Sequence, residues 1–138
     1  ITKPDQVKTY HDQVGYWLWE PATQTVIHTL TSPRGQALMA GGTVAPDAKE
    51  FELIARQGDP YYGISSNPFL EHAFKTVEFR IKVRINDDGT WGYSEDTVMQ
   101  IQGLSEPFHH TDDNILRKVG EPTPNPLALA AQTAGASI

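Results

Sequence analysis

From Val77 to Ile85 the chain alternates without a break: Val77, Phe79, Ile81, Val83 and Ile85 are apolar, and Glu78, Arg80, Lys82 and Arg84 are charged. A period of two is what a strand with one buried and one wet face requires, because successive side chains leave an extended backbone on opposite sides. The strand runs into Asn86-Asp87-Asp88-Gly89, residues that tolerate the positive φ of a tight reversal, and the return begins at Thr90-Trp91-Gly92-Tyr93. The pair reads as a hairpin.

Further strands are expected at about Tyr10 to Trp19, Thr25 to Thr31, Gln36 to Val44, Lys49 to Arg56, Tyr61 to Ser65 and Phe108 to Val119. Turn residues separate them, among them Glu20-Pro21-Ala22-Thr23, Ser32-Pro33-Arg34-Gly35, Ala45-Pro46-Asp47 and Gly58-Asp59-Pro60. One internal segment reads as a helix. Asn67 can cap it, Pro68 suits its first turn, and Leu70 and Phe74 share a face, so a short helix is expected to plug one end of the sheet. Short strands joined by brief turns favour an all-β, antiparallel up-and-down barrel, since closure removes unpaired edges. Residues 1–120 are expected to form this domain. Residues 121–138, with Pro122, Pro124 and Pro126 followed by an Ala-rich run, read as an extended tail rather than a helix over Leu127 to Ala134.

A chain of 138 residues suffices for one domain with a real core. Its net charge of -6 argues against a nucleic-acid backbone or an anionic membrane as partner, because both would repel the average surface. It has no cysteine, which excludes disulfides, thiolate metal sites and iron–sulfur clusters and fits a reducing cytoplasm, the location expected. Histidine or carboxylate must therefore ligate any metal. The apolar runs are short and interrupted by charge, so no spanning helix is expected.

The pair His109-His110 opens the last strand-like segment, and a neutral imidazole is the commonest protein ligand for a transition metal or haem iron. Periodicity does not choose between them: His109 shares strand parity with Ile115 and His110 with Leu116. A divalent metal held by the whole His-His-x-Asp-Asp run is disfavoured, because adjacent strand residues point to opposite faces. His28 and His72 have no comparable context and are expected at the surface. Tyr16, Trp17 and Trp19 are expected to serve packing, and Gly41-Gly42 to mark a bend. Ser65-Ser66 lacks a nucleophile elbow.

His11-Asp12-Gln13-Val14-Gly15-Tyr16-Trp17, then Thr25-Val26-Ile27-His28-Thr29-Leu30, Ser32-Pro33-Arg34-Gly35 and Gly41-Gly42-Thr43-Val44, follow one another in a specific order. With Tyr93, Met99, Pro107, His110 and Arg117 in the closing portion, this order resembles the nitrobindin-like haem-binding β-barrels over roughly Tyr10 to Val119. The resemblance implies a lipocalin-like barrel, of the fatty-acid-binding-protein type, that carries haem b near one mouth. It implies that His110 binds the iron, that His11 lies on the distal side, and that Met99 is a pocket methionine. One more residue separates Met99 from His110 than in the family, and a bulge is expected to absorb it. The activity implied is binding of nitric oxide or isomerisation of peroxynitrite to nitrate.

The family's opening strands, with a Gly-x-Trp-x-Gly-x-Gly signature, do not occur in these 138 residues. About eight strands are countable, so a barrel incomplete on its N-terminal side is expected, with pairing to a second copy as one way to cover the gap. Thr111, Asp112 and Asp113 follow the histidine where the family has an apolar residue, which makes the mouth more polar. The alternative is a barrel that holds a fatty-acid-like apolar molecule without haem. Arg80 and Arg84 point away from the apolar face and give it no internal carboxylate clamp.

Overall fold

The computed structural model describes residues 11–121, 123–127, 129 and 130. Their elements are β1 (Val14–Glu20), β2 (Thr25–Ser32), β3 (Gln36–Thr43), β4 (Glu50–Arg56), β5 (Ile64–Ser66), α1 (Pro68–Ala73), β6 (Phe74–Ile85), β7 (Trp91–Ile101) and β8 (Phe108–Leu116). Neighbouring strands pair antiparallel in the order β1-β2-β3-β4-β6-β7-β8, with β5 set against β3. The sheet curls into a half-barrel, all-β apart from one short helix, as the alternation predicts. The curl is deep enough that the Trp17 ring on β1 meets the Trp91 ring on β7, with centroids 5.5 Å apart.

The inner face holds the core. Phe79, Ile81 and Val83 of β6 are buried, with Leu53 and Ala55 of β4, Leu38 and Ala40 of β3 and Leu30 of β2. The charged residues between them form a row of ion pairs outside: Arg80 bonds Glu52 and Glu78, Arg56 bonds Glu78, and Lys82 bonds Glu50. Arg80 and Arg84 thus lie on the outer face. The alternation falters at Val77, where a register shift between Thr76 and Glu78 marks a bulge against β7.

β3 divides one edge between two partners. Its start pairs with β5 and Gly41 with Ile54 of β4, so β5 and α1 fold back as an insertion between β4 and β6. Gly41 and Gly42 continue the strand rather than bend it. The Tyr62 ring lies against Gly41 so closely that an added Cβ would stand 2.1 Å from the ring's Cε1. Close approach is the reason for the missing side chain.

α1 begins as expected, with the Asn67 side chain accepting from the Leu70 N–H and Pro68 in the first turn. It ends at Ala73 because β6 starts at once. The tail differs from the extended arm expected: residues 126, 127, 129 and 130 are helical, and Asn125 caps the turn by accepting from the Leu127 N–H. Tyr10, where the first strand was expected to begin, and residues 131–138 of the tail expected to be extended lie outside the described residues.

Candidate functional site

The half-barrel has a hollow at each end. One, of about 310 Å³, is walled by Trp17, Trp19, Phe51, Trp91 and aliphatic neighbours, and no titratable side chain lines it. The other, of about 320 Å³, lies where β1, β6 and β8 begin and where β2 and β7 end, and it carries the chemistry. His11, Met99 and His110 all line it. In the wall of the first hollow the Trp17 ring stacks on His28 at 4.0 Å and meets Phe51 and Trp91 edge-on.

The β7–β8 ladder separates the two neighbouring histidines. His110 stands opposite Thr97 and His109 opposite Val98. Because directly paired residues point to one face, His110 joins Met99, Thr97 and Glu95 on the inside and His109 faces out. There His109 Nδ1 lies 2.8 Å from Asp96 Oδ2. The hollow is open, and His110 remains solvent-accessible within it.

The extra residue between Met99 and His110 is not absorbed by a bulge in this ladder. The register runs unbroken from Trp91↔Leu116 to Met99↔Phe108, and the six residues from Gln102 to Pro107 take up the spacing as a turn. A turn on the rim accommodates a length change without altering which face any strand residue uses.

The walls around the imidazoles are of two kinds. Leu30, Leu70, Phe69, Phe74 and Met99 supply apolar surface, so α1 contributes to the cavity as well as closing the sheet. Ser32, Arg34, Gln36 and Thr76 form a polar side. Gln36 Nε2 donates to Ser66 Oγ at 3.0 Å and to Thr76 Oγ1 at 2.8 Å, which holds its amide in place.

Deeper along the inner face of β7 and β8 lies a polar cluster that strand parity alone places there. Glu95 pairs with Asp112 and Tyr93 with Asn114. Asn114 Nδ2 donates to Asp112 Oδ2 at 2.8 Å and to the Tyr93 hydroxyl at 3.0 Å. Burial pushes the Glu95 carboxyl up; a hydrogen bond from Gln13 and the nearby His11 oppose this, and Asp112 reinforces it. Burial also raises the Tyr93 phenol, with Glu95 and Asp112 adding to the effect. The readable signal was the alternation Trp91, Tyr93, Glu95, Thr97, Met99, which sets a carboxylate on the cavity face. Phe69, Leu70 and Gln36 carried no comparable signal, because α1 reaches the cavity only through tertiary packing and Gln36 lies at the start of β3.

Two further sequence expectations change. His28 is buried rather than exposed, at 7% accessibility, and its Nδ1–H donates to the Tyr16 carbonyl at 3.3 Å. It stands opposite Trp17 on the inner face, where the indole covers it. Burial holds its imidazole below the usual range. Tyr16 packs nothing comparable: it lies on the outer face of β1 and is 76% exposed. Among the described residues no group of three His, Asp or Glu side chains is placed to hold a metal ion.

A family model described as "THAP4-like, heme-binding beta-barrel domain" matches residues 1–118. No curated protein matches the chain.

Proposed function

The chain belongs to the THAP4-like, heme-binding beta-barrel domain family, and from that premise we propose that it holds haem b in the hollow shared by His11, Met99 and His110, with His110 as the residue that would ligate the iron. The observation that carries this reading is the placement of His110 and Met99 on one wall of a single cavity while His109 is turned outward. The residues present suit a porphyrin: an imidazole nitrogen is the right donor, and Leu30, Leu70, Phe69 and Phe74 offer the apolar surface that a flat macrocycle needs. The polar side, with Arg34 and Ser32, suits the carboxylate-bearing edge of such a ligand.

When bound, a ferric haem supplies an open coordination position at which nitric oxide can bind or peroxynitrite can rearrange to nitrate. The chain's own part is to orient and to shield. His110 would hold the cofactor, Met99 with Phe69 and Leu70 of α1 would exclude water, and His11 would offer a hydrogen-bonding group within the same cavity.

Hemin titration followed by absorption spectroscopy tests the proposal. His110→Ala is expected to lose the Soret signature and to weaken hemin binding by more than about tenfold, since even outer-shell partners of metal ligands are worth that much. His109→Ala is expected to bind as the parent does. Equal behaviour of the two variants would overturn the assignment, and tight binding of a fatty acid by a protein indifferent to hemin would put the apolar-ligand reading first.

A further inference from the structure

The polar and the apolar wall of the His110 hollow come from separate parts of the chain. Ser32 and Arg34 belong to the turn that joins β2 to β3, whereas Phe69 and Leu70 belong to α1. Asn67 bonds to both. Its backbone N–H donates to the Gly35 carbonyl at 2.9 Å, and its side-chain Nδ2 donates to the Arg34 carbonyl, 33 residues away in sequence, at 2.7 Å. Toward the helix, its Oδ1 accepts from the Leu70 N–H at 2.9 Å and its carbonyl accepts from the Glu71 N–H at 3.0 Å. A backbone carbonyl only accepts and a backbone N–H only donates, so these two kinds of partner decide which end of the carboxamide is oxygen and which is nitrogen. Gly35 makes the close approach possible: its φ is +83°, and an added Cβ would stand 2.6 Å from Asn67 Nδ2. Capping alone does not call for an asparagine here. Serine and aspartate cap a helix about as well, but neither offers an acceptor and an N–H donor on separate atoms.

We propose that Asn67 is a positioning residue that ties the polar wall of the hollow to its apolar wall, so that both meet one ligand in a fixed relation. This rests on the reading of the hollow as a haem site. The ligand class that uses both walls has an apolar body and a carboxylate-bearing edge. Its body lies against side chains that the Asn67 cap holds, and its carboxylates lie toward the turn that the Asn67 amide holds. Loss of the amide donor loosens only the turn. Loss of the whole side chain loosens α1 as well, because the Leu70 N–H then has no cap.

Asn67→Ser keeps a cap and removes the donor, whereas Asn67→Ala removes both, and the two variants separate the roles. Titration with hemin and with hemin dimethyl ester, which has the same apolar body without the charged carboxylates, reads the walls independently. Asn67→Ser is expected to weaken hemin about tenfold, as for partial loss of one charge-assisted contact, and to bind the diester as the parent does. Asn67→Ala is expected to weaken both. Unchanged hemin binding by Asn67→Ser, or equal weakening of hemin and diester, overturns the proposal. Backbone 15N relaxation on hemin-free protein supplies the second reading: order parameters of residues 33–35 are expected to fall from about 0.85 toward about 0.6 in both variants, and those of α1 only in Asn67→Ala. A turn as rigid in Asn67→Ser as in the parent overturns the proposal too. If the parent fails to take up either porphyrin, the haem assignment falls by itself and relaxation alone decides the coupling of the walls. Should Asn67→Ser fail to fold, Asn67→Asp, also a cap without a donor, takes its place.

Discussion

Thr97 and His110 face each other across the β7–β8 ladder, and that single pairing sends the two neighbouring histidines to opposite sides of the sheet. His110 enters the cavity beside Met99, while His109 meets Asp96 outside. A slip of one residue would exchange them.

The outer pair is expected to matter little. His109 and Asp96 are partly solvated, with side-chain accessibilities of 57% and 33%, and such surface ion pairs contribute within about 1 kcal/mol. His109→Ala should therefore shift the urea midpoint only slightly and leave hemin affinity unchanged. A loss of several kcal/mol would show that the outer face of β8 is covered in solution.

Stability should fall in mild acid because of His28. Burial lowers its imidazole in the folded state, so the unfolded chain binds the proton more readily, starting near its ordinary value of about 6.5. The contribution is full above that value and is lost as pH falls through it toward the lower folded-state value. His28→Phe keeps a ring against Trp17 and removes the titration, so its unfolding free energy should vary less with pH across this window. Glu95 has the opposite sign: its raised carboxyl stabilises the fold most at low pH, and that part is lost as pH rises through the raised value. Parallel pH profiles for the parent and His28→Phe would refute the assignment.

Gly41 and Tyr62 should be coupled. A methyl at position 41 would overlap the ring, so Gly41→Ala is expected to cost about 1–3 kcal/mol by overpacking. In a Tyr62→Ala background most of that cost should vanish, and a double-mutant cycle by chemical denaturation measures the difference. Strict additivity would mean that the ring does not lie on the strand.

The core makes the simplest test of the inner face. Leu53 is fully buried at the centre of β4, opposite Ile81, and Leu53→Ala is expected to cost about 2–5 kcal/mol. Thermal or urea unfolding reads it. A cost below about 1 kcal/mol would place Leu53 outside a packed core.

The alternation of β6, the turn residues beside it and the cap of α1 were legible in the chain because each is a local demand: a period, a positive φ, an unsatisfied N–H. By the same logic strand parity set Tyr93, Glu95, Thr97 and Met99 on one face. Parity could not say which of His109 and His110 joined them, since either choice satisfies a strand taken alone; the register against β7, fixed by pairing over the whole ladder, made that choice. Nor could it bury His28, which is covered only because the sheet curls far enough for Trp17 to reach Phe51 and Trp91. The helix α1 arrives at the cavity rim by a fold-back in which β5 pairs with the start of β3, a contact between residues distant in sequence. What the amino-acid order determined alone was an antiparallel sheet and its inward residues. The cavity and its chosen imidazole exist only where curvature brings separate strands together.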